Sequence, residues 1–322
     1  MKTLKLMVLA ALFPGFSLAL FSQNFKANPR FSFYTTENQA EVLVFIGDAR
    51  RGQQVNLKIK IDINPVYQVD TTLSGPLLRV WVPLQYVKDG EHTLSAHLTR
   101  SGSAMEAQST LTKLQPKSNA VKIDRLTGKL IINELDWLPF GYYCYSPVQS
   151  SQIDDEVVKG FNVMSPYQKL EPGTLREREA YMDRCARLGM KVHYQLISLA
   201  GGGGVGSDLS PLSGEKKMKR LKEEVEHFRN HPALLAWYLS DEPTGNGVSP
   251  DSLKRMYQFI HDLDPYHPVT IVFDTPKRAR EYADAMDMVM ADPYPIPNAG
   301  VDKVGNTTSL LRTTFAYEKP VW

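Results

Sequence analysis

The sequence predicts an α/β chain: a small antiparallel β-sandwich followed by a (β/α)8 TIM-type barrel that is incomplete at its C-terminal end. Three observations carry this. From Gln23 to Leu126 apolar residues recur with period two, the mark of half-buried strands. After Asp124 short continuous apolar runs alternate with amphipathic helical stretches, the order that builds parallel strands covered by helices. No dinucleotide-binding glycine fingerprint accompanies that alternation, which favours a barrel over an open doubly wound sheet. The expected division is residues 1–22 as a signal peptide, 23–126 as the sandwich and 127–322 as the barrel.

The 322 residues, 43% hydrophobic and 22% charged, are enough for two domains with cores of their own. Met1-Lys2-Thr3-Leu4-Lys5 precedes an apolar run from Leu6 to Phe21, a basic start before a stretch short for a membrane span, as in signal peptides. Ser17, Ala19 and Ser22 offer cleavage points, and an uncleaved anchor is the alternative. The expected destination is secretion or the lumen of the secretory route, with no stable membrane span after removal. Residues 1–22 hold Lys2 and Lys5 and no acid, so their loss cancels the formal net charge of +2. A neutral mature chain argues against nucleic acid as a partner.

Two cysteines, Cys144 and Cys185, cannot build a disulfide framework or a cysteine-rich zinc site, and their apolar surroundings read as buried free thiols. One sequon, Asn306-Thr307-Thr308, fits a secreted chain.

In the first half, Val55, Leu57, Ile59 and Ile61 alternate with polar residues, as do Leu94, Ala96 and Leu98. Turns at Lys88-Asp89-Gly90 and Ser101-Gly102-Ser103 separate the strands, as in an immunoglobulin-like sandwich. Leu126-Thr127-Gly128-Lys129 predicts a hairpin feeding Leu130-Ile131-Ile132. Strands follow at Phe140–Tyr145, Phe161–Ser165, Lys191–Ile197, Leu234–Leu239, Val269–Phe273 and Met286–Ala291, and a seventh begins at Pro320-Val321-Trp322. Helices are expected over Leu175–Leu188, stopped by Gly189, over Lys216–Arg229, and over Pro250–Leu263, where Ser249-Pro250 is an N-cap followed by proline at the first helical position. The glycine run Gly201–Gly204 with Gly206 lacks the Gly-Lys-Ser/Thr ending of a phosphate loop and reads as a flexible loop over the barrel mouth.

A barrel of this kind places its site at the carboxyl ends of its strands. Those ends carry Tyr143, Tyr145, Tyr167, His193, Gln195, Asp241, Glu242, Asp274, Asp292 and Tyr294, a set of rings, hydroxyls and carboxylates able to stack on a sugar and hydrogen-bond it. His193, Asp241 and Asp292 match no metal-ligand spacing, so no metal and no cofactor is expected.

The segment Ala236-Trp237-Tyr238-Leu239-Ser240-Asp241-Glu242-Pro243 resembles the fourth-strand motif of the clan A glycoside hydrolases, the barrel superfamily that includes the family 2 β-galactosidases and β-glucuronidases. The approach to it, Phe228 to Trp237 with its Asn230-His231-Pro232 step, is similar to family 2 as well, and so is the order of sandwich, lead-in hairpin and barrel. The resemblance covers Leu130 to Trp322, roughly three fifths of the chain. It implies a glycosidase, of the retaining type, acting on a carbohydrate, with Glu242 as general acid/base. Cleavage of a glycosidic bond needs one carboxylic acid to protonate the departing oxygen and a second carboxylate to attack or to activate water. Apolar and aromatic neighbours such as Trp237 and Tyr238 would raise Glu242 toward the pKa of ~6 that such acids show. Asp241, Tyr143, Tyr167, His193, Gln195, Asp292 and Tyr294 are the expected substrate contacts.

Two departures stand out. Position 241 is aspartate where the superfamily usually has asparagine, which alters the contact to the hydroxyl beside the scissile bond and couples to the titration of Glu242. The superfamily's nucleophile stands at the end of the seventh strand, and this sequence stops at Trp322, so the expectation is a truncated relative. Asp292 is a second candidate carboxylate, although Asp292-Pro293-Tyr294-Pro295 also reads as a strand-ending turn that carries Tyr294 inward. The alternative function is a non-catalytic carbohydrate-binding or scaffold protein that retains the barrel without its nucleophile.

Overall fold

The structure, a computed structural model, describes residues 25–203 and 212–322. The expected signal peptide, residues 1–22, lies outside the described residues, as do Gly204 and Gly206 of the glycine run.

Seven strands form the N-terminal sandwich: β1 (Phe25–Pro29), β2 (Gln39–Ile46), β3 (Gln54–Ile61), β4 (Asn64–Thr72), β5 (Leu77–Pro83), β6 (Gly90–Arg100) and β7 (Ser103–Lys113). They make two antiparallel sheets, ordered β1-β2-β5 and β4-β3-β6-β7. The period-two pattern is obeyed: Val55, Leu57, Ile59 and Ile61 of β3 are buried, while Lys58 and Lys60 between the last three are exposed. Leu57 and Ile59 meet Val42, Val44, Val80, Leu94, Leu98 and Leu111 in one core, each large aliphatic side chain contributing about 1.5–3 kcal/mol by leaving water.

A three-stranded meander follows, β8 (Val121–Ile123), β9 (Leu130–Ile132) and β10 (Leu135–Trp137). The turn between β8 and β9 is the expected hairpin. Gly128, at φ 79°, closes it by donating its N–H to the Asp124 carbonyl at 2.8 Å, and the Asp124 carboxylate accepts from the Leu126 N–H. Val121, Ile123, Leu130 and Ile132 pack against Val163, Leu235, Ala236 and Met288, all near the starts of barrel strands. The meander therefore covers the amino end of the parallel sheet and leaves the carboxyl end to the site.

The six parallel strands are β11 (Gly141–Tyr145), β12 (Val163–Tyr167), β13 (Lys191–Gln195), β14 (Leu234–Asp241), β15 (Val269–Phe273) and β16 (Met288–Ala291), hydrogen-bonded in chain order. All eight residues of β14 are buried, as a strand covered on both faces requires. Pro320 to Trp322 runs beside β16: the Val289 N–H donates to the Pro320 carbonyl at 3.0 Å and the Trp322 N–H to the Val289 carbonyl at 2.9 Å. The predicted seventh strand thus begins where the sequence placed it.

Helices α1 (Ser150–Val157), α2 (Leu175–Arg187), α3 (Ile197–Ala200), α4 (Gly214–Phe228), α5 (Pro250–Leu263) and α6 (Asp302–Thr314) alternate with these strands, and a 3₁₀ stretch, Pro276–Ala285, connects β15 to β16. Ser249 caps α5 by accepting the Ser252 N–H, with Pro250 at the first helical position, as predicted. Met182, Cys185, Leu221, Val225, Phe228, Leu253 and Ile260 press on Val192, Tyr194, Trp237 and Ile271 to form the main core. Cys144 and Cys185 are buried free thiols within it.

Several strand boundaries differ from expectation by one or two residues, and two have a visible cause. The strand predicted over Phe161–Ser165 starts two residues later, because Phe161 stacks on Phe140 with centroids 4.6 Å apart and the Asn162 N–H turns to the Phe140 carbonyl. The strand predicted to reach Ile197 ends at Gln195. Leu196 donates its N–H to the Tyr238 carbonyl, and its own carbonyl accepts from Leu199 and Ala200, starting the short helix α3.

Candidate active site

The tip of β14 builds the site. Its register against β15 shifts between Tyr238 and Ser240, an irregularity that re-aims the following side chains. Glu242 then adopts φ 44°, a left-handed backbone uncommon for a residue with a side chain, and donates its N–H to the Val272 carbonyl at 3.0 Å. Its carboxyl is partly buried, and its pKa is pushed up from the ordinary carboxylate value to about 7. Loss of solvent is the main cause, and the charges of Asp274, Asp241 and Asp292 add to it.

The expected cause was different in one respect. Trp237 lies on the other face of β14, in the core between strands and helices, where its indole N–H donates to Asp264 Oδ2 at 2.9 Å. Burial first, and then the neighbouring carboxylates, lift Glu242, and this ring takes no part.

Asp241 is 5% exposed and accepts a hydrogen bond on Oδ2 from the Tyr167 hydroxyl at 3.1 Å, while Oδ1 has no hydrogen-bond partner. Burial raises its pKa; the Tyr238 and Tyr167 hydroxyls oppose that rise and the charge of Asp274 adds to it. The Tyr238 hydroxyl is aimed at this carboxylate without closing a hydrogen bond of good geometry. Asp292 is likewise raised, first by burial, with the Tyr294 hydroxyl opposing and Asp241 and Asp274 adding. Tyr294 stands exposed beside it.

On the other side Tyr143 and Tyr145 point the same way from β11 and both stack on Tyr167, with centroids 5.6 and 5.7 Å away. The three rings form an aromatic platform whose outer members are half exposed. The structure thus gathers Glu242, Asp241, Asp292, Tyr294, Tyr143 and Tyr167 at one end of the sheet. His193 and Gln195 lie beneath them, enclosed. His193 stacks on Tyr238 at 4.6 Å, nearly parallel, with Nε2 2.6 Å from Thr270 Oγ1 and Nδ1 3.3 Å from Ser165 Oγ. Burial pushes its pKa down to about 3, so the ring is neutral. Gln195 sits within 3.5 Å of the same Ser165 hydroxyl. Among the described residues no group of three or more His, Cys, Asp or Glu side chains is arranged to hold a metal ion.

The glycine run is not a free flap at its start. Ser240 Oγ donates to the Gly201 carbonyl at 2.6 Å and the Gly203 N–H to the Asp241 carbonyl at 2.7 Å. A Cβ on Gly202 would stand 2.5 Å from the Asp241 carbonyl oxygen, so only glycine lets the two backbones approach. Tyr238, named from the sequence only as a neighbour of Glu242, also belongs to the site, as do Ser240, Thr270 and Asn246, which sequence reasoning missed. For Tyr238 and Ser240 a signal existed: alternation along β14 sets them opposite Trp237 and Leu239. For Asn246 none did.

Residues 207–320 match the family model described as glycosyl hydrolases family 2, TIM barrel domain. The chain is 30% identical over 84 residues to the β-glucuronidase of Chlorocebus aethiops, a match covering 26% of this chain and 13% of that protein. It is also similar to solved structures of β-glucuronidases. For that of Parabacteroides merdae with glycerol in its active site, identity is 15% over 92% of this chain and 38% of the other, with a TM-score of 0.44. For that of Dictyoglomus thermophilum, identity is 17% over 92% of this chain and 53% of the other, with a TM-score of 0.47. The chain therefore spans about half or less of these relatives. Residues 207–320 are thus similar to the family 2 barrel domain, in agreement with the resemblance carried by Ala236–Pro243.

Proposed function

We propose that this chain carries the acid/base half of a retaining O-glycosyl hydrolase site, with Glu242 as the proton donor. The observation that carries the reading is a carboxyl at the tip of β14 whose proton is retained to about pH 7 by burial and three neighbouring carboxylates. A general acid works best when its pKa lies near the operating pH, because it then holds a proton and gives it up readily. Glu242 donates that proton to the glycosidic oxygen as the bond to the sugar breaks, and as its carboxylate then takes a proton from the attacking water.

The remaining roles follow from chemistry. The Tyr143, Tyr145 and Tyr167 platform offers ring faces to a pyranose, Asp241 and Asp292 accept hydrogen bonds from sugar hydroxyls, and Tyr294 closes the edge beside Asp292. His193 and Gln195 support this layer from below. In the resemblance the attacking carboxylate belongs to the tip of the seventh strand, the strand that Pro320 to Trp322 begins alongside β16. The substrate is a carbohydrate, and the leader-like residues 1–22 add the proposal that it is met in the secretory route or outside the cell.

The test is a panel of glycosides offered to a form of the protein that includes the seventh-strand carboxylate, with Glu242 intact and as Glu242→Gln, with binding and hydrolysis measured separately. The reading expects unchanged binding and hydrolysis lowered by on the order of 10²–10⁴-fold. Binding by both proteins with turnover by neither supports a carbohydrate-binding protein instead, and normal turnover by the variant removes Glu242 from the role.

A further inference from the structure

We propose that Asn246 and Gly203 form a backbone clamp that holds Glu242 in its left-handed conformation and so aims its carboxyl into the site; this rests on Glu242 being the proton donor. A side chain at φ 44° crowds its own carbonyl and persists only where the surroundings hold it. Three bonds do so here. The Glu242 N–H reaches the Val272 carbonyl at 3.0 Å, the Asn246 side-chain amide donates to the Glu242 carbonyl at 2.9 Å, and the Asn246 backbone N–H reaches the same oxygen at 3.3 Å. Gly203 closes the other side. Its N–H fixes the Asp241 carbonyl at 2.7 Å, one peptide before Glu242. A Cβ at position 203 would stand 3.0 Å from Asn246 Nδ2 and 3.8 Å from Glu242 Oε2, so the absence of a side chain leaves room for the amide to sit against the turn.

Asn246 touches the carbonyl and not the carboxyl of Glu242, so it is a positioning residue. Releasing the clamp lets residue 242 relax to negative φ and swing its carboxyl toward solvent. Among the described residues, the charged or ionisable groups that face this carboxyl are Asp241 from β14, Asp274 after β15, and Asp292 and Tyr294 after β16. Each of these carboxylates raises its pKa, and burial raises it further, so a carboxyl that swings away titrates lower.

The test follows the Glu242 carboxyl by carbon-13 NMR in protein labelled at glutamate, the resonance being assigned by its loss in Glu242→Gln. The wild type is expected to titrate at about 7. Asn246→Leu, which keeps volume and removes the donor, and Gly203→Ala, which displaces the amide from the other side, are each expected to bring the midpoint to about 6. The double variant is expected to go no lower than either, since both break one contact, and Asn246→Gln, which retains an amide, to recover part of the difference. A Glu242 midpoint unchanged in both folded single variants overturns the clamp. The titration needs no turnover, so it stands apart from the proton-donor reading, which fails instead if Glu242→Gln hydrolyses normally.

Discussion

The phenolic hydroxyl of Tyr167, at the end of β12, donates to Oδ2 of Asp241 at the end of β14, reaching past the intervening β13 across 3.1 Å. This bond joins the aromatic platform to the acid pair. It also lowers the Asp241 pKa against the rise that burial imposes. Tyr167→Phe keeps the ring stack and removes the donor. The expected outcome is a loss of about 1 kcal/mol of stability in urea unfolding and a several-fold weaker sugar affinity, measured by calorimetry, with Asp241 titrating higher than in the wild type.

Glu242 makes the folded state sensitive to pH in an unusual direction. Its pKa rises from 4.5 to about 7 on folding, so its contribution is fully present below 4.5 and is lost as pH rises through 7, when the folded protein must ionise a carboxyl it resists ionising. Glu242→Gln cannot ionise. The variant is expected to melt higher than wild type above pH 7 and to lose that advantage below pH 4.5, in parallel thermal scans.

Away from the site, Arg178 of α2 and Glu224 of α4 form an ion pair whose side chains are 1% and 2% exposed. Arg178 Nε also donates to Glu224 Oε2 at 3.1 Å, and the Tyr194 hydroxyl donates to that oxygen at 2.6 Å. Removing one partner leaves a buried charge uncompensated. Arg178→Met is expected to cost about 3–5 kcal/mol in guanidinium unfolding, and the double variant Arg178→Met, Glu224→Leu to recover much of it.

Asp264 sets an acid limit on stability. Burial alone would raise its pKa, but the charge and hydrogen bond of His267, the charge of Lys117 and the indole N–H of Trp237 hold it below the ordinary value. A depressed folded pKa gives stability that is present above the unfolded value, about 3.9, and is lost as pH falls through the folded one. Asp264→Asn is expected to be less stable than wild type at pH 7 and to show a shallower decline below pH 4, read by circular dichroism melts.

How much of this could be read from residues alone depends on range. β14 and α5 were legible because their signals are local: an unbroken apolar run, and a serine cap followed by proline. The position of Glu242 was legible through its motif at a strand end. The orientation of Trp237 was misjudged because the motif fixes sequence neighbours and not which side of the sheet each faces. Gly202 and Asn246 were opaque for a different reason. Gly202 serves Asp241 across 39 residues of sequence, and Asn246 bonds the carbonyl of a residue whose N–H is held by β15 and whose preceding peptide is held by Gly203, so both meanings arise only when separate segments meet.

The central claim, proton donation by residue 242, is tested most directly by the dependence of hydrolysis on the leaving group. In a form that includes the seventh-strand carboxylate, the protein with Glu242 intact and its Glu242→Gln variant would be compared on two glycosides of one sugar, one with a dinitrophenyl leaving group that departs without protonation and one with an alkyl leaving group that needs it. The account predicts that the variant's kcat/KM falls on the order of 10²-fold or more on the alkyl glycoside and little on the dinitrophenyl one. An equal loss on both, or no loss on the alkyl glycoside, would contradict it.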